Sequence, residues 1–181
     1  RVDLVCGGFP CQPVSVAGKR LAQADARWLW PEFSRVIRAL RPRLVLVENV
    51  PGLLDGGLGE VLGDLATDGY DATWRCLSAA QLGAPHERDR FFLLAAHPDA
   101  IDGDTWLGVL ADDEGTLRQT KDRNRASLWL AAPCVPARMG HGPACRVDRR
   151  ERTEVIGNSI VPQVAEWIGR RLMETLDRAR A

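Results

Sequence analysis

RLVLV, residues 43–47, reads as a continuous apolar run from Leu44 to Val47, followed by Glu48. A run that is apolar at every position, without alternation, marks a strand covered on both faces. Such a strand needs helices on either side of its sheet, and the neighbouring sequence supplies them. Phe33, Val36, Ile37 and Leu40 recur at helical spacing, with Pro31 suited to the first turn and Pro42 as a stop. Leu58, Val61, Leu62 and Leu65 repeat the pattern, with Gly69 as terminator. VDLVC (2–6), ATWRC (72–76) and FFLLAA (91–96) read as three further strands. A last helix is expected from Pro162 towards Arg178, with Val164, Ile168, Leu172 and Leu176 along one side. Strands alternating with helices predict an α/β fold with a parallel core. Residues 98–150 show little periodicity.

Composition excludes several classes. No apolar stretch reaches the roughly 18 residues that span a bilayer, and no membrane partner is expected. The five cysteines, Cys6, Cys11, Cys76, Cys134 and Cys145, form no CxxC pair, which argues against structural zinc. No signal segment opens the chain, so a cytoplasmic protein with reduced thiols is expected. Cys6 and Cys76 are expected to be small buried hydrophobes. The first residue is Arg1 and a strand-like run follows at once, the expectation being a fragment or a processed chain.

Net charge is zero, yet the charges are segregated. Residues 98–117 hold six acids and no Lys or Arg, whereas residues 118–152 hold nine basic residues against three acids. A basic stretch of this kind tracks phosphates or forms a solvated loop, and charge alone does not choose.

In α/β sheets the reactive groups gather at the carboxyl ends of strands. Three stretches fall on that rim: GGFPCQ after the first strand, ENVPGL after the second, and the loop leading into HERDRFF. Cys11 follows a Gly-Gly turn, where backbone N–H groups can favour a thiolate and glycine lets another molecule approach; an inert loop cysteine is the plainer reading of it alone. Glu48 ends a buried strand, where a carboxylate is costly unless paired or used as a proton donor. An ion pair with an arginine is the plainer reading of it. Arg88 and Arg90 occupy alternate positions and, on an extended segment, share a face suited to a phosphate or a polar base edge.

With these stretches in place, the chain resembles the C5-cytosine DNA methyltransferase family. GGFPCQPVSVAGKR resembles the family's nucleophile loop and ENVPGL its Glu-Asn-Val motif. GAPHERDRFFLLA resembles its Gln-x-Arg-x-Arg motif, and GNSIVPQVAEWIG its Gly-Asn-Ser/Ala motif. The four occur in family order. The resemblance implies a partial Rossmann-like class I methyltransferase sheet, S-adenosyl-L-methionine as methyl donor and double-stranded DNA as substrate. It assigns Cys11 as nucleophile towards cytosine C6, Glu48 to N3 and the exocyclic amine, Arg90 to O2, and Arg88 to support of the loop or the thiolate. Pro10, Gln12, Ser15 and Gly18 would shape the loop that closes over the base, and Asn49 would fix the Glu48 loop. Asn158 and Ser159 would contribute near the donor. The implied domains are a catalytic α/β part at 1–97, a short target-recognition region at 98–147, and a return segment with a carboxyl-terminal helix at 148–181.

The chain also departs from the family pattern. The Gly-rich donor-binding turn and the acidic residue that holds the ribose are absent, and His86 stands where the family has Gln. An upstream segment or a partner chain is therefore expected to complete the donor site, and that reading predicts an exposed edge on the strand at 2–6. Two other readings stay open: a non-catalytic DNA-binding remnant, and a thiol enzyme pairing Cys11 with His86.

Overall fold

The computed structural model describes residues 2–10, 27–84, 86–98, 103–111 and 160–178. Four strands form one sheet: β1 (Leu4–Gly7), β2 (Leu44–Asn49), β3 (Asp71–Ser78) and β4 (Asp89–Ala96). Their order across the sheet is β1-β2-β4-β3. The α/β class is as expected, but the pairing corrects the parallel core. The only parallel pairing among the described strands is β1 with β2; β1, β2 and β3 share one direction, and β4, inserted between β2 and β3, is antiparallel to both. The cause is connection length. Parallel neighbours need a crossover of about a dozen residues or more, usually helical. The link from β3 to β4 is only residues 79–88, holding one short 3-10 helix at Ala79–Leu82. That link reverses the chain.

The helices are α1 (Trp30–Leu40), α2 (Leu53–Gly56), α3 (Leu58–Thr67) and α4 (Pro162–Arg178). Alternating residues of β2 and β4 feed two cores, one per face. Val45, Val47, Phe91, Leu93 and Ala95 pack against Ile37 of α1, Leu53 of α2, and Val61 and Leu65 of α3. Leu44, Phe92, Leu94 and Ala96 pack with Val164, Ile168 and Leu172 of α4. Each such large side chain contributes roughly 1.5–3 kcal/mol when fully buried.

The helical stripes fall close to expectation. In α4, Val164, Ile168 and Leu172 are buried and Leu176 partly so. In α1 the stripe is rotated: Trp30, Ser34 and Ile37 are buried, whereas Leu40 is 45% exposed. Pro31 occupies the first turn, and Arg41 ends α1 in the left-handed region at φ 44°, its N–H donating to the Ile37 carbonyl. Gly69 sits at φ +82° just beyond α3, the conformation for which glycine is the favoured residue.

A 3-10 helix at Gly103–Leu110 has no counterpart in the sequence pattern. Its Trp106, Val109 and Leu110 join the α4 core. Its last carbonyls are held from a distance. Arg171 donates to Gly108 at 2.6 Å and to Val109 at 2.7 Å, while Arg75 donates to Leu110 at 3.1 Å. The Arg171 guanidinium also lies 4.7 Å from the centroid of the Trp167 ring.

Cys6 is exposed, against the expectation of burial, and Cys76 is half-buried. The reason is position. β1 is an edge strand among the described residues, and Leu4 and Cys6 stay exposed beside Leu44 and Leu46, which α4 covers. The expected exposed edge at 2–6 is thus present among the described residues. No helix of the described residues is long and apolar enough to cross a membrane.

Candidate active site

Three chain segments meet at one rim of the sheet. β1 ends at Gly7, opposite Val47 in parallel register, and the chain turns off through Gly8, Phe9 and Pro10 towards Cys11. β2 ends with Glu48 and Asn49 at the same rim. Because β4 runs antiparallel to β2, its amino end also lies there, with Glu48 opposite Phe92. The HERDR stretch therefore reaches the rim by strand reversal.

Glu48 and Arg90 form the centre of the described site. Arg90 Nε lies 3.1 Å from Glu48 Oε1, and the two side chains are 20% and 23% exposed, arginine first. Burial pushes the Glu48 carboxyl above its ordinary pKa, against the opposing charges of Arg90 and Arg88 and the hydrogen bond from Arg90. The ion-pair reading and the proton-donor reading of Glu48 therefore both describe this carboxyl. It is held by a guanidinium, yet burial outweighs that stabilisation and favours the neutral, proton-carrying form.

Arg88 acts on the same carboxylate through its charge, but it does not share the extended face expected for it with Arg90. The extended-segment argument fails because β4 begins only at Asp89 and Arg88 sits in the left-handed region at φ 41°. A non-glycine residue there is strained, and such strain clusters at functional sites. Arg90 also donates from Nη1 to the Asp89 carbonyl at 2.9 Å.

Asn49 joins two of the segments. It is 2% exposed; its Nδ2 donates to the Phe9 carbonyl at 3.3 Å, and its Oδ1 accepts from the Val50 N–H at 2.9 Å. One amide thus spans the turn after β2 and the approach to Cys11.

An aromatic cluster lies beneath. Phe9 meets Trp28 edge-on at 5.1 Å between centroids and Trp30 at 5.7 Å. Trp28 Nε1 donates to Glu60 at 3.1 Å and Trp30 Nε1 to Asp64 at 2.9 Å, both on α3. Phe9 and Trp28 flank residues 11–26, so one ring contact ties the two ends of that stretch together. Motif reading does not single out these aromatic residues, although the paired tryptophans of RWLWPEF are the available signal.

Pro10 lies within the described residues, half-buried. Cys11, Gln12, Ser15, Gly18, Asn158 and Ser159 lie outside them, as do Cys134, Cys145 and the basic residues of 118–152. No group of three or more His, Cys, Asp or Glu among the described residues is arranged to hold a metal ion. Beside β1 the described side chains are Leu4, Cys6 and Asp3, and Asp3 lies 3.9 Å from Arg43. These side chains do not form a site for S-adenosyl-L-methionine: an acid already paired with an arginine, a leucine and a thiol offer no cradle for its amino-acid or ribose groups.

Comparison with known proteins gives a consistent family. Residues 1–126 match the family described as C-5 cytosine-specific DNA methylase. The Type II methyltransferase M.NaeI of Lentzea aerocolonigenes is 38% identical over 135 residues, covering 72% of this chain and 33% of that protein. M.Eco47II of Escherichia coli is 40% identical over 108 residues, covering 56% of this chain and 26% of that protein. The structure of the S. pombe Dnmt2 methyltransferase matches with a TM-score of 0.44 and 25% identity over 64% of this chain and 38% of that one. The chain spans about a third or less of the length of these two curated relatives. With the motifs in order and the family match running through the strands that build the rim, the chain belongs to the C-5 cytosine-specific DNA methylase family.

Proposed function

We propose that this chain carries the base-handling half of a DNA (cytosine-5-)-methyltransferase of the restriction-modification kind, acting in the cytoplasm on double-stranded DNA with S-adenosyl-L-methionine as donor. The observation that carries the reading is the Glu48–Arg90 pair, 3.1 Å apart, on the rim towards which the Cys11 segment leads. A cytosine stacked in the duplex cannot reach such a rim, so the target base leaves the helix.

The residues then act as follows. The Cys11 thiolate adds to C6; an Sγ–C6 bond forms and the C5=C6 double bond opens. Glu48, biased by burial towards its protonated form, supplies the proton that N3 gains as electron density moves into the ring. Arg90 would hold O2, and Arg88 adds a second positive charge acting on the Glu48 carboxylate. C5 becomes nucleophilic, as methylation at that carbon requires. A base such as water then takes the C5 proton, the double bond re-forms as the Sγ–C6 bond breaks and Cys11 leaves, and N3 returns its proton to Glu48. Pro10, Gln12, Ser15, Gly18 and Asn49 shape the two loops around the base.

Residues 98–147 form the proposed target-recognition region, between a catalytic part at 1–97 and a return segment at 148–181. The basic stretch 118–152 faces DNA phosphates in this reading. The exposed β1 edge favours completion of the donor site by a further segment or a partner chain.

DNA of mixed sequence carrying 5-fluorocytosine tests the proposal, because the fluorine cannot leave as the C5 proton does and the adduct persists. The chain is incubated with this DNA and S-adenosyl-L-methionine, alone and with a segment bearing the family's donor-binding motif. A covalent adduct lost in Cys11→Ala is the expected result. No adduct in either arrangement overturns the enzymatic reading and leaves the DNA-binding one.

A further inference from the structure

Gly8 follows the last residue of β1, where the two parallel strands part. A Cβ built on Gly8 would lie 2.9 Å from Glu48 Oε2 and 2.8 Å from the Glu48 backbone oxygen. Gly8 is not among the residues with positive φ. An alanine can therefore adopt this backbone conformation, and the demand for glycine is one of space alone. The space is taken jointly by the Glu48 carbonyl oxygen and by the carboxylate whose other oxygen meets Arg90.

We propose that Gly8 is a positioning residue for Glu48: its bare Cα leaves the space in which the carboxylate rests against Arg90. The inference deepens the proposed function, on which its catalytic meaning rests. A methyl group at position 8 drives the carboxylate out of that space. The Arg90 contact then lengthens, and the charged form of Glu48 loses the interactions that favour it. Arg90 and Arg88 are the charged groups that act on Glu48.

The adjacent glycine supplies a matched control. A Cβ on Gly7 would lie 2.9 Å from Cε2 of Phe33, and its three nearest neighbours are all atoms of that ring. Gly7→Ala therefore crowds the same turn from the other side of the sheet, against an aromatic ring.

The test follows the Glu48 carboxyl carbon by NMR through a pH titration, together with exchange of the Arg90 Nε–H proton with water. Wild type, Gly8→Ala, Gly7→Ala and Arg90→Gln are compared on the full chain, with the Glu48 signal assigned from Glu48→Gln. In Gly8→Ala the Glu48 midpoint departs from its wild-type value and the Arg90 proton exchanges several-fold faster. In Gly7→Ala both stay at wild-type values. A midpoint and exchange rate unchanged in Gly8→Ala overturn the proposal, as does an equal effect of Gly7→Ala. Where Gly8→Ala does not fold, the double variant Gly8→Ala/Glu48→Ala decides. Removing the carboxylate restores folding if the carboxylate fills the space; failure to restore it assigns the conflict to the Glu48 carbonyl and overturns the proposal. These readouts need no DNA, so a missing fluorocytosine adduct in the wild type defeats the enzymatic reading and leaves this result standing.

Discussion

Replacing Asn49 by alanine removes both ends of a bridge. The Val50 N–H loses an acceptor at 2.9 Å and the Phe9 carbonyl loses a donor at 3.3 Å. Asn49 is 2% exposed and Phe9 6%, so little water reaches the Phe9 carbonyl, while the Val50 N–H is partly buried. An unpaired buried polar group costs about 1–3 kcal/mol. The longer bond to Phe9 belongs at the lower end of that range, and the two together give about 2–4 kcal/mol. For a chain of this size such a loss lowers the melting temperature by roughly 5–15 °C. Asn49→Asp separates the two ends. Its oxygen still accepts from Val50, but no N–H remains for Phe9, and a carboxylate is buried in its place. The penalty of Asn49→Asp should therefore exceed that of alanine at neutral pH and shrink as the carboxyl is protonated. Urea unfolding followed by circular dichroism at two pH values measures both variants. An Asn49→Ala stability within about 0.5 kcal/mol of wild type, the range of an ordinary surface change, refutes the bridge as a support of the fold.

Glu48→Gln should stabilise the folded chain at neutral pH. The folded pKa of Glu48 is raised, so between the ordinary value of 4.5 and the folded value the folded state binds more protons than the unfolded one. Stability therefore falls as pH rises through that window, and a neutral isostere escapes the loss. Urea midpoints of the two proteins should converge below that window and separate above it; separation of the opposite sign disproves the burial argument. Two glycines near the start of α3 should respond in opposite ways. A Cβ at Gly57 would press into the Trp28 ring, so Gly57→Ala should cost about 1–3 kcal/mol through overpacking. Gly59, with nothing within 4 Å, should gain roughly 0.5–1 kcal/mol from Gly59→Ala through helix propensity. The same denaturation assay checks both, and equal effects would contradict the packing around Trp28.

The parts of this fold that are legible in the sequence are those governed by local pattern. The Leu44–Val47 run and the α4 stripe lie where periodicity places them, because burial on a sheet or against a helix imposes that period directly. Strand direction is not legible in the same way, because the span between β3 and β4 has to be measured against what a crossover requires. The 3-10 helix at Gly103–Leu110 is hidden for another reason: Arg75 and Arg171, distant in sequence, hold its carbonyls. Of the site, Glu48 and Arg90 are identifiable as a strand-end carboxylate with a cation to meet it. The left-handed backbone of Arg88 is not, since nothing in HERDR marks the residue before the strand as turned. Gly8 reads as a turn former, whereas its contact with Glu48 depends on how two strand ends diverge in space.

The position of β4 sets the order in which this half-sheet can be made. It is the last of the four strands to emerge during synthesis, yet it lies between β2 and β3, which both precede it. Until residues 89–96 arrive, the two earlier strands have no bridge, and their apolar side chains wait uncovered. Pairings this remote in sequence close slowly, because chain entropy is lost before contacts repay it. Glu48 therefore spends the early life of the nascent chain without Arg90. The Glu48–Arg90 pair comes into being in the same event that seals the sheet, so a chain stopped short of Asp89 carries the carboxylate without its arginine.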